Sequence, residues 1–316
     1  MYLPNWLKIL RNDIGHVSYL NQNQIDALRV QLGIQSAMTQ NSILYQHRQF
    51  DLWDFEFQVF SQWGEDGILN HLCNVLDLFK PVVVEIGSGN FTECNSRFLA
   101  HYRNSSLYLI DASPSINQTF PNLDIKWKTS SNIESIFVTA KNVNEILYRA
   151  QKSLGEIDVL SIDIDGNDYW VLKEIEEFNF SVVVLEYNSI FGSEKAVTIP
   201  YQDFFARGDA HFTHLYYGAS LKAYINLLNS RGYKFVGTNR PGTNAFFVQE
   251  KMASKFSHLR LRSISTYTSS NIQESRSLNG ELSYLSASEG LDQIRNCALM
   301  DLDGESVSTI SQVYFE

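Results

Sequence analysis

Residues 82–90, VVVEIGSGN, constrain what this chain can fold into more than any other stretch. Val82–Ile86 is β-branched and apolar apart from Glu85, which reads as a strand buried on both faces. The Gly87-Ser88-Gly89 turn lets the chain bend sharply and lets a ligand press against bare backbone. TECNSRFLAHYR follows with helix-forming character, Thr92 standing as N-cap and Glu93 in the first turn. A second apolar run, Leu107–Ile110, ends in Asp111. That acid falls about 20 residues past the glycines, where a parallel βαβ unit sets a carboxylate against ribose hydroxyls. The order of these residues predicts a nucleotide-type cofactor.

The chemistry of the turn narrows the cofactor. A dinucleotide fingerprint needs a third glycine three residues past Gly89, and Thr92 stands there. An acid two residues before a bare GxG is instead similar to the first motif of class I S-adenosylmethionine methyltransferases. S-adenosylmethionine has no pyrophosphate to seat on a helix N-terminus, and its sulfonium and ammonium suit carboxylates such as Glu85.

Beyond the turn, apolar runs at Ile125–Lys128, Val159–Ile164, Val182–Glu186, Tyr233–Thr238 and Ala245–Gln249 read as further strands, with helical segments between most of them. This is the α/β alternation of a doubly wound, mostly parallel sheet. The loop NRPGTN makes the last two strands an antiparallel hairpin. Ile68, Leu69, Leu72, Val75, Leu76 and Phe79 form one helical stripe before the first strand. Ile25, Leu28 and Leu32 carry helical spacing in the Asn- and Gln-rich N-terminal part. The expected organisation is a helical extension or lid over 1–55, a class I domain over 56–252, and a C-terminal extension over 253–316. In that extension a hairpin around Asn279-Gly280, a short helix at Leu291–Leu299 and looser, partly disordered stretches are expected, with no chemistry.

The net charge of −10 argues against nucleic acid as a partner. No stretch has the apolar length of a membrane span, and the N-terminus, broken by charges and Pro4, lacks a signal-peptide core. Cys73, Cys94 and Cys297 are odd in number and far apart, which fits a reducing cytoplasm.

A second cluster of acids lies in VLSIDIDGNDYW, where Asp163, Asp165 and Asp168 follow a predicted strand. The carboxyl ends of strands in an open α/β sheet line the ligand crevice. Three acids there repel one another unless something compensates. Asp168 suits the N-terminus of the helix predicted over Tyr169–Phe178, and Asp163 and Asp165 are read as functional. Glu186 and Asn188 end the next strand, so Asp165, Glu186 and Asn188 form a candidate Mg²⁺ ligand set. His211 and His214 are spaced i, i+3; His214 follows Asp165 as a candidate base. Tyr216 and Tyr217 sit in a loop before the helix Leu221–Arg231. Gln62 and Glu65 are candidate cofactor contacts ahead of the first strand, and Glu65 and Asp66 also suit the start of the helix there.

FSQWGEDGIL, VVVEIGSGN, LYLIDAS, VLSIDIDGNDYWVL, VVVLEYN, YYGASL, GYKFVGTN and NAFFVQE, in this order, resemble the FkbM-like class I methyltransferases of bacterial surface-glycan biosynthesis. The resemblance spans about residues 60–250. It implies a seven-stranded Rossmann-like sheet, S-adenosylmethionine as cofactor and methyl transfer to a hydroxyl of a sugar or sugar-linked group. It also implies that Glu85, Gly87 and Gly89 line the cofactor, that Asp111 holds the ribose, and that Asp163 sits at the methyl end. SIDIDGNDYW departs from the acid–x–Glu–Gly pattern frequent in the broader family, which bears on Asp165 and the acceptor. The expected partner is a small-molecule or glycan acceptor, and an oligomer is compatible with the extensions. A non-catalytic methyltransferase-like module in a glycan assembly complex and a nucleotide-sugar-using enzyme are the competing expectations.

Overall fold

The structure, a computed structural model, describes residues 5–43, 49–120, 125, 127–177, 179–268 and 274–316, with side chains described there except at 5–21, 41 and 43. The apolar runs become one seven-stranded sheet in the order β3-β2-β1-β4-β5-β8-β7. Its strands are β1 (Val82–Ile86), β2 (Ser106–Asp111), β3 (Ser131–Ser135), β4 (Val159–Ile162), β5 (Val182–Glu186), β7 (Tyr233–Thr238) and β8 (Asn244–Gln249), with β6 (Val197–Thr198) lying in a separate small sheet. β1 pairs in parallel with β2 and β4, while β8 runs antiparallel between β5 and β7. This is the seven-stranded, mostly parallel Rossmann-like arrangement that the sequence predicts.

Alternation along the strands divides the core into two layers. Val84, Ile86, Leu160 and Ile162 pack into one, and Val83, Leu107, Leu109 and Val159 into the other. Each such side chain, once buried, contributes about 1.5–3 kcal/mol. The helices around the sheet are α2 (Glu65–Val75), α3 (Arg97–Arg103), the short α4 (Ser115–Thr119), α5 (Val143–Leu154), α6 (Asp168–Glu174), the single turn α7 (Arg207–Ala210) and α8 (Leu221–Ser230), after an N-terminal α1 (Asn5–Ile43).

Several expectations need correction. The third strand is Ser131–Ser135 and not Ile125–Lys128. Ile125 lies buried in a turn and Lys126 falls outside the described residues. At the sheet edge β3 is only half buried, so SNIES needs no apolar run to pair with β2. α3 starts at Arg97, well after Thr92, whose N–H is taken instead by Asn90 Oδ1 at 2.9 Å. α2 ends at Val75, leaving Phe79 80% exposed. α6 stops at Glu174, and Phe178 lies outside the described residues.

α1 packs on α2 and α3 through Asp26, Gly33, Ala37 and Gln40, while Ile25, Leu28 and Leu32 face outward. Gly33 permits the approach: a Cβ there would lie 2.5 Å from Val59 and 2.6 Å from Phe98. The buried Arg97 guanidinium meets Asp26 at 2.5 Å. No described residue of α1 lines either of the two large cavities below.

The tail holds α9 (Ile264–Tyr267), α10 (Ala287–Gln293), β9 (Ala298–Asp301), β10 (Ser306–Thr309) and α11 (Ile310–Tyr314). The helix expected at Leu291–Leu299 thus begins and ends earlier, and β9 follows it. Residues 269–273 lie outside the described residues, while Gly280 turns a small hairpin whose Arg276 and Leu282 pair. β9 bridges β10 and β6, and Leu299 and Ile310 join Phe191, Val197 and Ile199 in a third core. The tail therefore buttresses the segment between β5 and α8. No described helix is long and apolar enough to cross a membrane.

Candidate active site

Two cavities open along the carboxyl ends of the central strands. The narrower, of about 310 Å³, is lined by Gly87, Gly89, Asp111, Ile136, Val138 and Asp163, among others. The wider, of about 600 Å³, is lined by Asp163, Asp165, Glu186, Arg207, His214 and Tyr217, with Gln62, Trp63, Asn244 and Glu274 at its other walls. Asp163, Ile164 and Asp165 line both.

The glycine turn is set by backbone crowding. Gly87 has φ +90°, and a Cβ on it would fall 1.5 Å from the Asp163 carbonyl oxygen, so no other residue fits where β1 passes β4. Asp111 ends β2 with both oxygens in use: Oδ2 accepts from Gly89 N–H at 2.8 Å and Oδ1 from Ser113 N–H at 2.7 Å. The acid thereby fixes the loop whose backbone forms the cavity floor.

Glu85 does something other than the sequence suggests. Its side chain is buried, and its oxygens accept from Asn95 N–H at 2.7 Å and Ser96 N–H at 3.0 Å. Ser96 is the N-cap of α3, so a carboxylate from β1 anchors the start of that helix and explains its late beginning. Burial raises its pKa. Glu85 borders only a small side cavity of about 130 Å³, shared with Gln62, Gly87, Asn95 and Asp163. Glu85 and Asp111 thus border different cavities, both lined by Gly87 and Asp163. Glu65, wholly buried, accepts from Asn239, Asn244 and Trp63 N–H and lines neither large cavity. Asp66 accepts from the backbone of Val59, Phe60 and Ser61, and Asp168 from that of Ile164 and Gly166, both in structural roles.

The acids of β4 and β5 do come together. Asp163, Asp165 and Glu186 each place a carboxylate oxygen within 4.8 Å of the others. Burial, then mutual repulsion with neighbouring carboxylates, raises Asp163 and Glu186 well above the usual carboxylate range. Asn188 does not join them: its amide donates to the Leu215 and Tyr217 carbonyls and its oxygen accepts from Ile190 N–H. Asp163 takes the place the sequence assigned to Asn188.

The compensating charge is Arg207, which the sequence reading missed. Its guanidinium meets Asp165 at 2.8 Å, donates to the His214 carbonyl at 2.5 Å and lies 3.9 Å over the Tyr217 ring. It belongs to an irregular loop carrying one short helical turn, where no periodicity marks it. His214 lines the wider cavity, whereas the His211 ring bonds the Thr213 hydroxyl and does not. Glu274 comes from the tail, in which the sequence shows no chemistry.

Residues 51–235 match the methyltransferase FkbM domain. The chain belongs to the FkbM methyltransferase family. The matched span ends within β7, leaving β8 and the tail, with Asn244 and Glu274, outside it. No curated protein matches the chain. Among solved structures, it is similar to a mutant of MtNAS in complex with S-adenosylmethionine, at 12% identity over 73% of this chain and 75% of that one, with a TM-score of 0.33. An O-methyltransferase family protein from Burkholderia thailandensis is similar at 11% identity over 58% and 57%, with a TM-score of 0.33.

Proposed function

We propose that this FkbM methyltransferase holds S-adenosylmethionine in the narrower cavity and methylates a hydroxyl of a sugar or sugar-linked group, within glycan assembly, in the wider one. The observation that carries this reading is the shared wall: Asp163, Ile164 and Asp165 border both cavities, so a donor and an acceptor would meet there. When bound, S-adenosylmethionine supplies an electrophilic methyl on a sulfonium that leaves as a neutral thioether. Asp111 keeps carboxylate lone pairs for ribose hydroxyls beyond the two it gives to backbone, and Ile86, Ile110, Ile136 and Val138 offer apolar walls to a purine.

Alignment is the main task, since oriented displacement needs little covalent help. The acceptor hydroxyl must still lose its proton as its oxygen bonds the methyl carbon. The Asp163–Glu186 pair suits that role: where two close carboxyls share one proton, the ionised member is a stronger base than an isolated carboxylate. Asp165, tied to Arg207, orients the loop that faces the acceptor. A second reading adds a divalent cation held by Asp163, Asp165 and Glu186, whose three close oxygens are hard donors suited to Mg²⁺; the ion would acidify the acceptor hydroxyl.

The test is calorimetric titration with S-adenosylhomocysteine, with and without Mg²⁺, together with methyl transfer to a sugar panel. Glu186→Gln should lower kcat about 100-fold or more while leaving S-adenosylhomocysteine affinity within about twofold. Failure of the wild type to bind S-adenosylhomocysteine would remove the reading.

A further inference from the structure

The proposal above leaves the acceptor's charge open, and the wider cavity addresses it. Four carboxylates line that cavity: Asp163, Asp165, Glu186 and Glu274. Among the described residues Arg207 is the one guanidinium in the lining, and no lysine joins it there. Its Nη1 is held by Asp165, its Nε by the His214 carbonyl, and its face lies over the Tyr217 ring. A phosphate or carboxylate from an incoming molecule would have to compete with Asp165 for it. Glu186 adds an independent sign. Its Oε2 is buried and has no hydrogen-bond partner among the described residues, while the side chain borders the cavity. A buried acceptor atom left without a donor is unfavourable, and a ligand N–H or O–H would relieve it.

We infer, resting on the methyl-transfer reading, that the acceptor is a polyhydroxylated molecule carrying a protonated amine and no phosphate or carboxylate, and that Glu274 helps select it. An ammonium offers three donors on a compact charge, which matches convergent carboxylates better than a hydroxyl alone. Even with one proton shared by Asp163 and Glu186, the remaining carboxylates of the lining outnumber Arg207 and oppose an anionic group. Trp63, Phe205 and Tyr217 supply ring surface for the C–H faces of a sugar. Glu274 is exposed, is held 3.4 Å from Arg276 on the tail hairpin, and lies outside the span that matches the family. The tail thus contributes a charged group to the acceptor site that the shared domain does not.

The experiment is titration of the full chain with glucosamine, glucose and glucose 6-phosphate, with and without saturating S-adenosylhomocysteine. Glucosamine should bind about tenfold tighter than glucose, and glucose 6-phosphate more weakly than either. Glu274→Gln, a change at an exposed position, should cut the glucosamine preference to about threefold or less and leave S-adenosylhomocysteine binding unchanged. Equal or tighter binding of the phosphorylated sugar, or no binding of glucosamine, overturns the inference. A preference untouched by Glu274→Gln overturns the role of the tail. If S-adenosylhomocysteine itself fails to bind, the methyl-transfer reading falls, and the sugar series on the free protein still decides the charge preference of the cavity.

Discussion

Asp111→Asn tests the cofactor site most directly. In the wild type one carboxylate holds two backbone N–H groups, Gly89 at 2.8 Å and Ser113 at 2.7 Å, and keeps a net charge toward the narrower cavity. An asparagine retains one oxygen, so its NH₂ must face one of those two donors. Either the Gly89 loop or the Ser113 turn then loses its partner. Hydrogen bonds to a charged group contribute about 1.5–3 kcal/mol. Loss of one such bond to a ribose hydroxyl corresponds to about 10- to 150-fold in Kd for S-adenosylhomocysteine. The loop is at the surface of the fold, so global stability should fall by only about 1 kcal/mol, or a few degrees in Tm. Calorimetric titration measures the first effect and thermal melting the second. A Kd within twofold of the wild type would show that Asp111 does not hold the cofactor.

Other consequences follow from the same geometry. Gly87→Ala should cost about 3 kcal/mol or more in urea unfolding and abolish cofactor binding, because its methyl would lie 1.5 Å from the Asp163 carbonyl oxygen. Arg97→Ala leaves buried Asp26 with only the more distant Arg29, at 3.9 Å, and the Gln22 amide, and should destabilise by about 2–3 kcal/mol, with α1 losing hydrogen-exchange protection first. His71 is buried against Phe55 and His258, and burial pushes its pKa down from 6.5 to about 3. It stays neutral when folded but charges when unfolded, so its contribution is complete above pH 6.5 and is lost as pH falls toward 3. At about 1.36 kcal/mol per unit this amounts to about 5 kcal/mol, and His71→Leu should flatten that acid limb in chemical denaturation. Glu56 has the opposite sign. Burial raises it from 4.5 to about 7, so stability falls as pH rises across that window; Glu56→Gln should remove the decline.

The core strands were legible because burial on both faces requires continuous apolar runs, as Val82–Ile86 and Val182–Leu185 display. β3 was not, since an edge strand can pair its backbone without apolar side chains. The acids at the ends of β4 and β5 were legible as a cluster from their chain positions. Their partners were not. Asn188 has ligand chemistry, yet the Leu215 and Tyr217 carbonyls consume its amide. Glu85 has the right sequence place for a cofactor contact, yet two backbone N–H groups at the start of α3 take its oxygens. Arg207 carries no local signal, because its role depends on a loop folding back over residues about 40 positions earlier.

Local order along the chain determined the strand–turn–helix unit at Gly87, the α/β alternation and the reversal at the NRPGTN loop. These follow from the two-residue repeat of strands and from turn chemistry, which act between near neighbours. Only tertiary structure decided which carboxylates remain free to meet a ligand and which are spent on backbone. It also brought Arg207 and Glu274 to the wider cavity. Hydrogen-bond satisfaction and charge compensation are settled by whatever lies close in space, and that proximity arises only once distant segments pack together.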